Sequence, residues 1–193
     1  DLIVEDGKVV GAVVEQDGEK LKVRARGGVV LATGGFDHNM EMRHEHQSPS
    51  LLNNASLGAA SNTGDAITAA VEIGADTDLM DQTWWFPGVA PLEEGGQPQV
   101  LLAERSLPGS LMVNQHGKRF INEAIDYMTF GQDLLQKEQD GDPVTEMWIV
   151  FDQTYRNSYV FAGSVYPRMP LPKEWYEAGI AYSARNPTEL AQK

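Results

Sequence analysis

Gly28-Val-Val-Leu-Ala32 constrains the fold of this chain more than any other stretch. A short continuous apolar run of this kind is what a strand buried on both faces of a layered α/β sheet looks like. It ends in Thr33-Gly34-Gly35, where missing side chains let the backbone approach another group closely. The residues before it are β structure of a different texture. Lys8 to Glu15 reads as one strand and Asp17-Gly18 as a turn. Lys20 to Arg26 alternates strictly between polar and apolar, as a half-exposed strand does.

After Phe36 the pattern changes. Asn39 to Glu45 reads as a short exposed helix and Ser48 to Ser61 as a loop. Asn62-Thr63-Gly64-Asp65 precedes an alanine-rich helix, Ala66 to Ile73, with a polar cap at its start and a glycine stop at Gly74. Pro87 to Pro98 reads as a loop. Leu111, Val113, Phe120 and Ile121 are strand formers around a turn at Gln115-His116-Gly117, which predicts a hairpin. A helix from about Tyr127 to Lys137 follows, then an acidic linker, Glu138 to Pro143, and a buried strand, Glu146 to Phe151. Asp152 caps a helix running through Tyr159, and Pro172 opens a short one that stops at Gly179. The fold class is α+β, with a boundary near Phe36 to Asn39. Residues 1–38 are expected to be remnant strands of a nucleotide-binding domain and 39–193 a separate domain. The chain starts at Asp1 in what reads as mid-strand and stops inside a helical pattern at Lys193, so a piece of a longer protein is expected.

Charge and composition exclude some functions. A net charge of −13 disfavours nucleic acid and anionic membranes, both of which need a basic face to displace counterions. No apolar run approaches the length of a membrane span. The chain has no Cys, which removes disulfides, thiolate metal sites and Cys nucleophiles and fits a reducing cytoplasm. None of the 4 His has a partner at a metal-binding spacing, so no metal is expected, and all four read as solvated surface imidazoles.

Several motifs have a chemical and an architectural reading. Thr33-Gly34-Gly35 suits approach to a phosphate or an adenine ribose, or is a plain tight turn. The amides that open the helix after Asn62 attract anionic or carbonyl oxygens, or are merely capped. Trp84, Trp85 and Phe86 form either an aromatic wall for a flat apolar ligand or a core cluster. Glu104 and Arg105 suggest a buried pair or a solvated one. Tyr127 is either structural or a proton acceptor, and a phenol, with an ordinary pKa near 10, needs to act as phenolate or with a second donor.

The order of these motifs resembles one family. Gly117-Lys-Arg-Phe-Ile-Asn-Glu123 resembles the G-[KR]-R-F-x-N-E segment of the fumarate reductase and succinate dehydrogenase flavoprotein superfamily. Val29 to Phe36 resembles the end of that superfamily's FAD lobe, and Asn62 to Asp65 with Gly74-Ala75 resembles the segment that lies against its flavin. In the dicarboxylate enzymes the place of Tyr127 holds a catalytic Arg, and the stretch matching Phe86-Pro87-Gly88 holds a substrate-binding His. With both replaced by aromatics, a dicarboxylate loses two contacts worth on the order of 2 kcal/mol each. A Tyr at this place resembles the 3-ketosteroid Δ1-dehydrogenases, as do Asp81 to Pro87, Glu104 to Gly109, and Phe151 to Gly163 continuing through Pro170 to Trp175.

The resemblance implies the substrate-capping, catalytic domain of that superfamily, with a few strands of the FAD-binding domain. It implies 1,2-dehydrogenation of a 3-keto steroid, Tyr127 taking the C2 proton while the flavin takes hydride from C1. It places cofactor contacts at Ala32, Thr33, Gly34, Gly35, Asn62, Thr63, Gly64 and Asp65, and substrate contacts at Trp85, Phe86, Glu104 and Arg105. The partners it implies are an apolar small molecule, a steroid, and the remainder of the FAD-binding domain. FAD belongs to the full-length parent, and the piece alone is expected neither to hold it tightly nor to turn over. The alternatives are a Δ4-(5α)-steroid dehydrogenase, a fumarate reductase-like enzyme, or a non-catalytic binding module that kept the fold.

Overall fold

Asp6-Gly7 and Asp17-Gly18 set the start of the fold. All four residues take positive φ (51° and 74°, then 54° and 81°), the geometry that a two-residue hairpin needs to match strand twist. They join β1 (Leu2–Glu5), β2 (Lys8–Gln16) and β3 (Glu19–Arg24) into an antiparallel meander in that order. The computed structural model describes residues 1–51, 54–93 and 95–193. The expected loops at Ser48 to Ser61 and Pro87 to Pro98 therefore include positions 52, 53 and 94, which lie outside the described residues.

Two expectations for this region fail. The register Val14↔Leu21 and Ala12↔Val23 puts one apolar row on a single face, yet β3 is exposed at every residue rather than at every other one. Gly28 to Ala32 is not a buried strand, and Val30 is 90 % exposed. A strand buried on both faces needs sheet neighbours for its N–H and C=O groups, and among the described residues none pairs with it.

The helices that follow are governed by their caps. The Asn39 side chain accepts from Met42 N and starts α1 (Met40–His46). The start of α2 (Asp65–Glu72) departs from the expected polar cap. Gly64 occupies the cap with φ 82° and makes no side-chain bond, while the Thr63 hydroxyl donates to Asp65 at 2.9 Å. Gly74, at φ 92°, closes the helix as expected. Residues Asp1–Asp81 form one compact unit and Gln82–Lys193 a second.

In the second unit, the stretch read as a loop contains β4 (Gly88–Val89), which pairs with β5 (Gln99–Val100). Glu104–Ser106 is a single 3-10 turn. It is followed by β6 (Ser110–Asn114), α3 (Tyr127–Gln139), β7 (Met147–Phe151), α4 (Gln153–Ser158), α5 (Lys173–Glu177) and α6 (Pro187–Leu190). The predicted hairpin is reduced to its turn. Asn114 Oδ1 accepts from His116 N and Lys118 N, and among the described residues the return arm pairs with β6 as a single isolated bridge, Val113↔Arg119. The reason is a side chain: Glu123 takes the Met112 amide at 2.9 Å, occupying the edge that a second arm would have used. The other edge of β6 pairs with β7, from Ser110↔Phe151 to Asn114↔Met147.

Two apolar cores hold this unit. One gathers Leu101, Tyr155, Phe161, Val165 and Trp175, with the partly buried Ile149 and Phe151 of β7 packed against it. The other joins Met112, Ile121 and Phe130, with Trp85 packed against it. Asp152 caps α4 by accepting from Tyr155 N at 2.8 Å, and the Tyr155 and Tyr159 rings lie 5.1 Å apart, one turn along the same face.

Candidate active site

In the first unit the two glycine-containing turns that the sequence singled out separately are brought together. Gly35 O accepts from Gly64 N at 3.1 Å, and Asn62 O accepts from His38 N at 2.9 Å. Asn39 Nδ2 donates to Thr63 O at 2.9 Å. Gly34 sits at φ 83° so close to Asn62 that a methyl group there would overlap the side-chain amide. Beside them a groove of about 240 Å³ is lined by Ala32, Thr33 and Gly34 on one side and by Ala66, Ile67 and Ala70 of α2 on another.

Polar side chains brace the loop that returns to Asn62. Asp37 accepts from the Ser56 hydroxyl. Burial pushes its carboxyl up, but the bonds from Ser56 and Asn62 outweigh that and leave it below the usual range. His38 is not the solvated imidazole expected: its Nε2 contacts Gly58 O at 3.0 Å and its Nδ1 the Asn54 amide at 2.7 Å. His44 likewise reaches Leu51 O at 2.8 Å, and His46 meets the edge of Phe36, while His116 is exposed. Both ring nitrogens of His38 serve the loop because its short polar residues leave carbonyls and amides to satisfy. No group of three or more His, Asp or Glu among the described residues is placed to hold a metal ion.

In the second unit Tyr127 opens α3. Asp126, the cap before it, accepts from Thr129 N at 2.9 Å and Thr129 Oγ1 at 2.6 Å, and these bonds hold its carboxyl below the usual range. The Tyr127 ring is partly buried, 4.5 Å from the Phe86 ring and tilted 55° to it. Behind it Arg105, only 4 % exposed, donates to Glu123 O and Ile125 O at 2.5 Å each. Its guanidinium lies 5.5 Å from the Tyr127 ring centroid and 5.3 Å from that of Phe130. Burial pulls Arg105 below its ordinary pKa, against the opposing pull of Tyr127, Asp126 and Glu123.

The expected pairing of Glu104 with Arg105 is absent. Arg105 is committed to main-chain carbonyls, and Glu104, partly buried, presents its own carbonyl to the Tyr155 hydroxyl at 2.8 Å. The three aromatics divide. Trp84 is 72 % exposed, Phe86 faces Tyr127, and Trp85 packs against α3 at Gly131, where any side chain would overlap the indole. Glu123 has a part in the site that its motif did not disclose. Burial pushes its carboxyl up, but Arg119 and the Met112 amide overcome this and hold it at about 2. Its carboxylate fixes β6 and its carbonyl fixes Arg105.

The sequence pattern of the FAD binding domain family matches residues 1–181. The chain belongs to the FAD binding domain family. Within it, the chain is 41 % identical, over all of its own length and 35 % of the other's, to the 3-oxosteroid 1-dehydrogenase of Mycolicibacterium smegmatis. The crystal structure of 3-ketosteroid Δ1-dehydrogenase from Sterolibacterium denitrificans, in complex with 1,4-androstadiene-3,17-dione, superposes with a TM-score of 0.79 at 39 % identity, covering 90 % of this chain and 32 % of that one. The 3-ketosteroid-Δ4-(5α)-dehydrogenase of Rhodococcus jostii RHA1, in complex with 4-androstene-3,17-dione, gives 0.63 at 26 % identity, over 99 % of this chain and 37 % of that one. The chain thus spans about a third of the length of the relatives it matches. The resemblance drawn from the motifs, to the steroid-dehydrogenase branch of this flavoprotein superfamily, holds. The groove in the first unit fits the family's cofactor: small residues, Ala32, Gly34, Ala66 and Ala70, line it together with the aliphatic Ile67 and Val71, and α2 starts without a side-chain cap, which leaves amides at its first turn for an oxygen ligand.

Proposed function

We propose that this chain is the part of a flavin-dependent 3-ketosteroid Δ1-dehydrogenase that supplies the proton acceptor, Tyr127. The observation that carries the reading is the pairing of Tyr127 with Phe86, a phenol standing against an apolar ring and only partly buried. FAD, when bound, supplies the acceptor for the C1 hydride. Ala32 to Gly35 and Asn62 to Asp65 would hold it. Residues 1–38 then belong to the FAD-binding domain and 39–193 to the substrate-capping domain, in a cytoplasmic enzyme. Phe86 offers the face on which a planar, greasy substrate lies; Trp85 supports α3 from the core, Arg105 stands behind Tyr127, and Glu104 ties the turn that carries Arg105 to the Tyr155 hydroxyl. A dicarboxylate suits this arrangement poorly, because Arg105, the cation beside the Tyr127 ring, has both terminal nitrogens on backbone carbonyls.

The test uses the full-length flavoprotein under anaerobic conditions. A 3-keto steroid is expected to bleach the flavin and succinate to leave it oxidised. Tyr127→Phe, which keeps the ring and removes the proton acceptor, should slow bleaching by about 10²–10⁴-fold. Bleaching by succinate, or a Tyr127→Phe enzyme as fast as wild type, would overturn the reading.

A further inference from the structure

A buried guanidinium is costly unless its charge is paired and its N–H groups are bonded, and a carboxylate is the usual partner. Arg105 has none. The ion pairs among the described residues leave it out, and the two carboxylates whose charge reaches it are bonded elsewhere: Glu123 by Arg119 and the Met112 amide, Asp126 by Thr129. The Arg105 terminal nitrogens bond only main-chain carbonyls, those of Glu123 and Ile125, and its Nε is buried with no hydrogen-bond partner. The positive charge is therefore delivered beside two rings, Tyr127 and Phe130. The backbone that carries it is pinned in turn. Glu104 O accepts from the buried Tyr155 hydroxyl at 2.8 Å, and Ser110 Oγ bonds Leu107 O at 2.9 Å at the end of the same 3-10 turn. A path of hydrogen bonds thus runs from the Tyr155 core through Arg105 to the carbonyls of Glu123 and Ile125, three residues and one residue before the Asp126 cap.

We propose that Arg105 is a positioning residue for Tyr127: by holding the carbonyls of Glu123 and Ile125 it fixes where the phenol stands, and its charge, with no carboxylate bonded to it, lies beside the ring that receives the substrate's proton. The inference rests on the desaturation reading above. In that step the C2–H bond breaks and its proton passes to the Tyr127 oxygen. The electron pair left at C2 closes the C1–C2 double bond as hydride leaves C1 for the bound FAD, so the substrate is oxidised by two electrons. Arg105 touches neither substrate nor flavin in this scheme. It differs in this from the substrate contact that the sequence suggested.

The experiment compares wild type, Arg105→Gln and Arg105→Lys in the FAD-loaded, full-length flavoprotein, with 4-androstene-3,17-dione as the probe. The rate of anaerobic flavin bleaching is read by stopped flow and the steroid Kd by equilibrium dialysis. Arg105→Gln, which loses the charge and the fork, should bleach about 100-fold more slowly, as when a preorganised electrostatic group is removed. Its Kd should stay within about threefold of wild type, since the lost interaction is not made to the substrate. Arg105→Lys keeps the charge and can reach only one carbonyl, so it should recover to within about 10-fold of the wild-type rate. Should Arg105→Gln fail to hold flavin, Arg105→Lys decides: a slowed rate at unchanged Kd supports the positioning role, and a wild-type rate overturns it. Equal slowing by Lys and Gln, or a Kd that rises in step with the loss of rate, also overturns it. If wild type itself is not bleached by the steroid, the reaction assigned above fails and this inference goes with it; if wild type bleaches and Arg105→Gln keeps pace, the positioning role alone is lost.

Discussion

Replacing Glu123 with Gln preserves an acceptor for the Met112 amide and removes the charge that Arg119 binds, so it isolates the electrostatic part of this anchor. The folded carboxyl titrates at about 2 against 4.5 for a free one. At about 1.36 kcal/mol for each tenfold change in the proton equilibrium, that gap corresponds to about 3.4 kcal/mol. Glu123 is 9 % exposed at its side chain but Arg119 is 59 % exposed, so solvent screens the pair and about 2 kcal/mol is the better figure. Because the folded group titrates below the unfolded one, its contribution is complete above about pH 4.5 and is lost as pH falls toward 2. Urea unfolding of wild type and Glu123→Gln side by side reads this directly, since every other carboxylate titrates in both proteins. The wild type should be more stable by about 2 kcal/mol at pH 7 and by about 0.5 kcal/mol near pH 2.5. A gap that stays constant with pH, or one below about 0.5 kcal/mol at pH 7, would refute the account of Glu123 as a charged anchor.

Two further substitutions test the packing beneath each candidate subsite. Gly131→Ala places a methyl where the Trp85 indole lies, so thermal unfolding should show a loss of about 1–3 kcal/mol from overpacking; an unchanged Tm would mean that α3 and Trp85 are not in contact. Gly34→Ala meets both the Asn62 amide and a positive φ of 83°, and the full-length flavoprotein should retain measurably less flavin, read as absorbance near 450 nm relative to protein, roughly. Wild-type flavin content in that variant would remove the turn at Thr33 to Gly35 from the cofactor site.

What was legible in the sequence is what short-range bonds decide. The Asp17-Gly18 turn, the Asp152 cap and the Gly74 stop each depend on residues a few places apart, and the structure has them. Burial depends on distant neighbours, and there the reading failed. Gly28 to Ala32 has the composition of an inner strand but, among the described residues, no strand beside it, and Phe120 and Ile121 have strand propensity but lose their partner edge to Glu123. Within the site, Tyr127 and Phe86 were legible because both are side chains at recognisable places in a motif, and they do meet. The Arg105 clamp was not, because both its acceptors are main-chain carbonyls, which every residue possesses and no letter of the sequence marks. Adjacency to Glu104 suggested an ion pair; in the 3-10 turn Arg105 instead turns its guanidinium to Glu123 and Ile125.

The β1–β3 meander has its own vulnerability and its own safeguard. The rim of a sheet is a template on which a stray extended segment can dock, and β3 is such a rim. Lys20, Lys22 and Arg24 all fall on that strand, alternating with the apolar row of Leu21 and Val23. A fourth strand added there would have to desolvate or crowd those cations, so fibril-like growth sideways is discouraged while the oily face stays open. Aggregation of this region, where it occurs, should therefore proceed by stacking sheet on sheet.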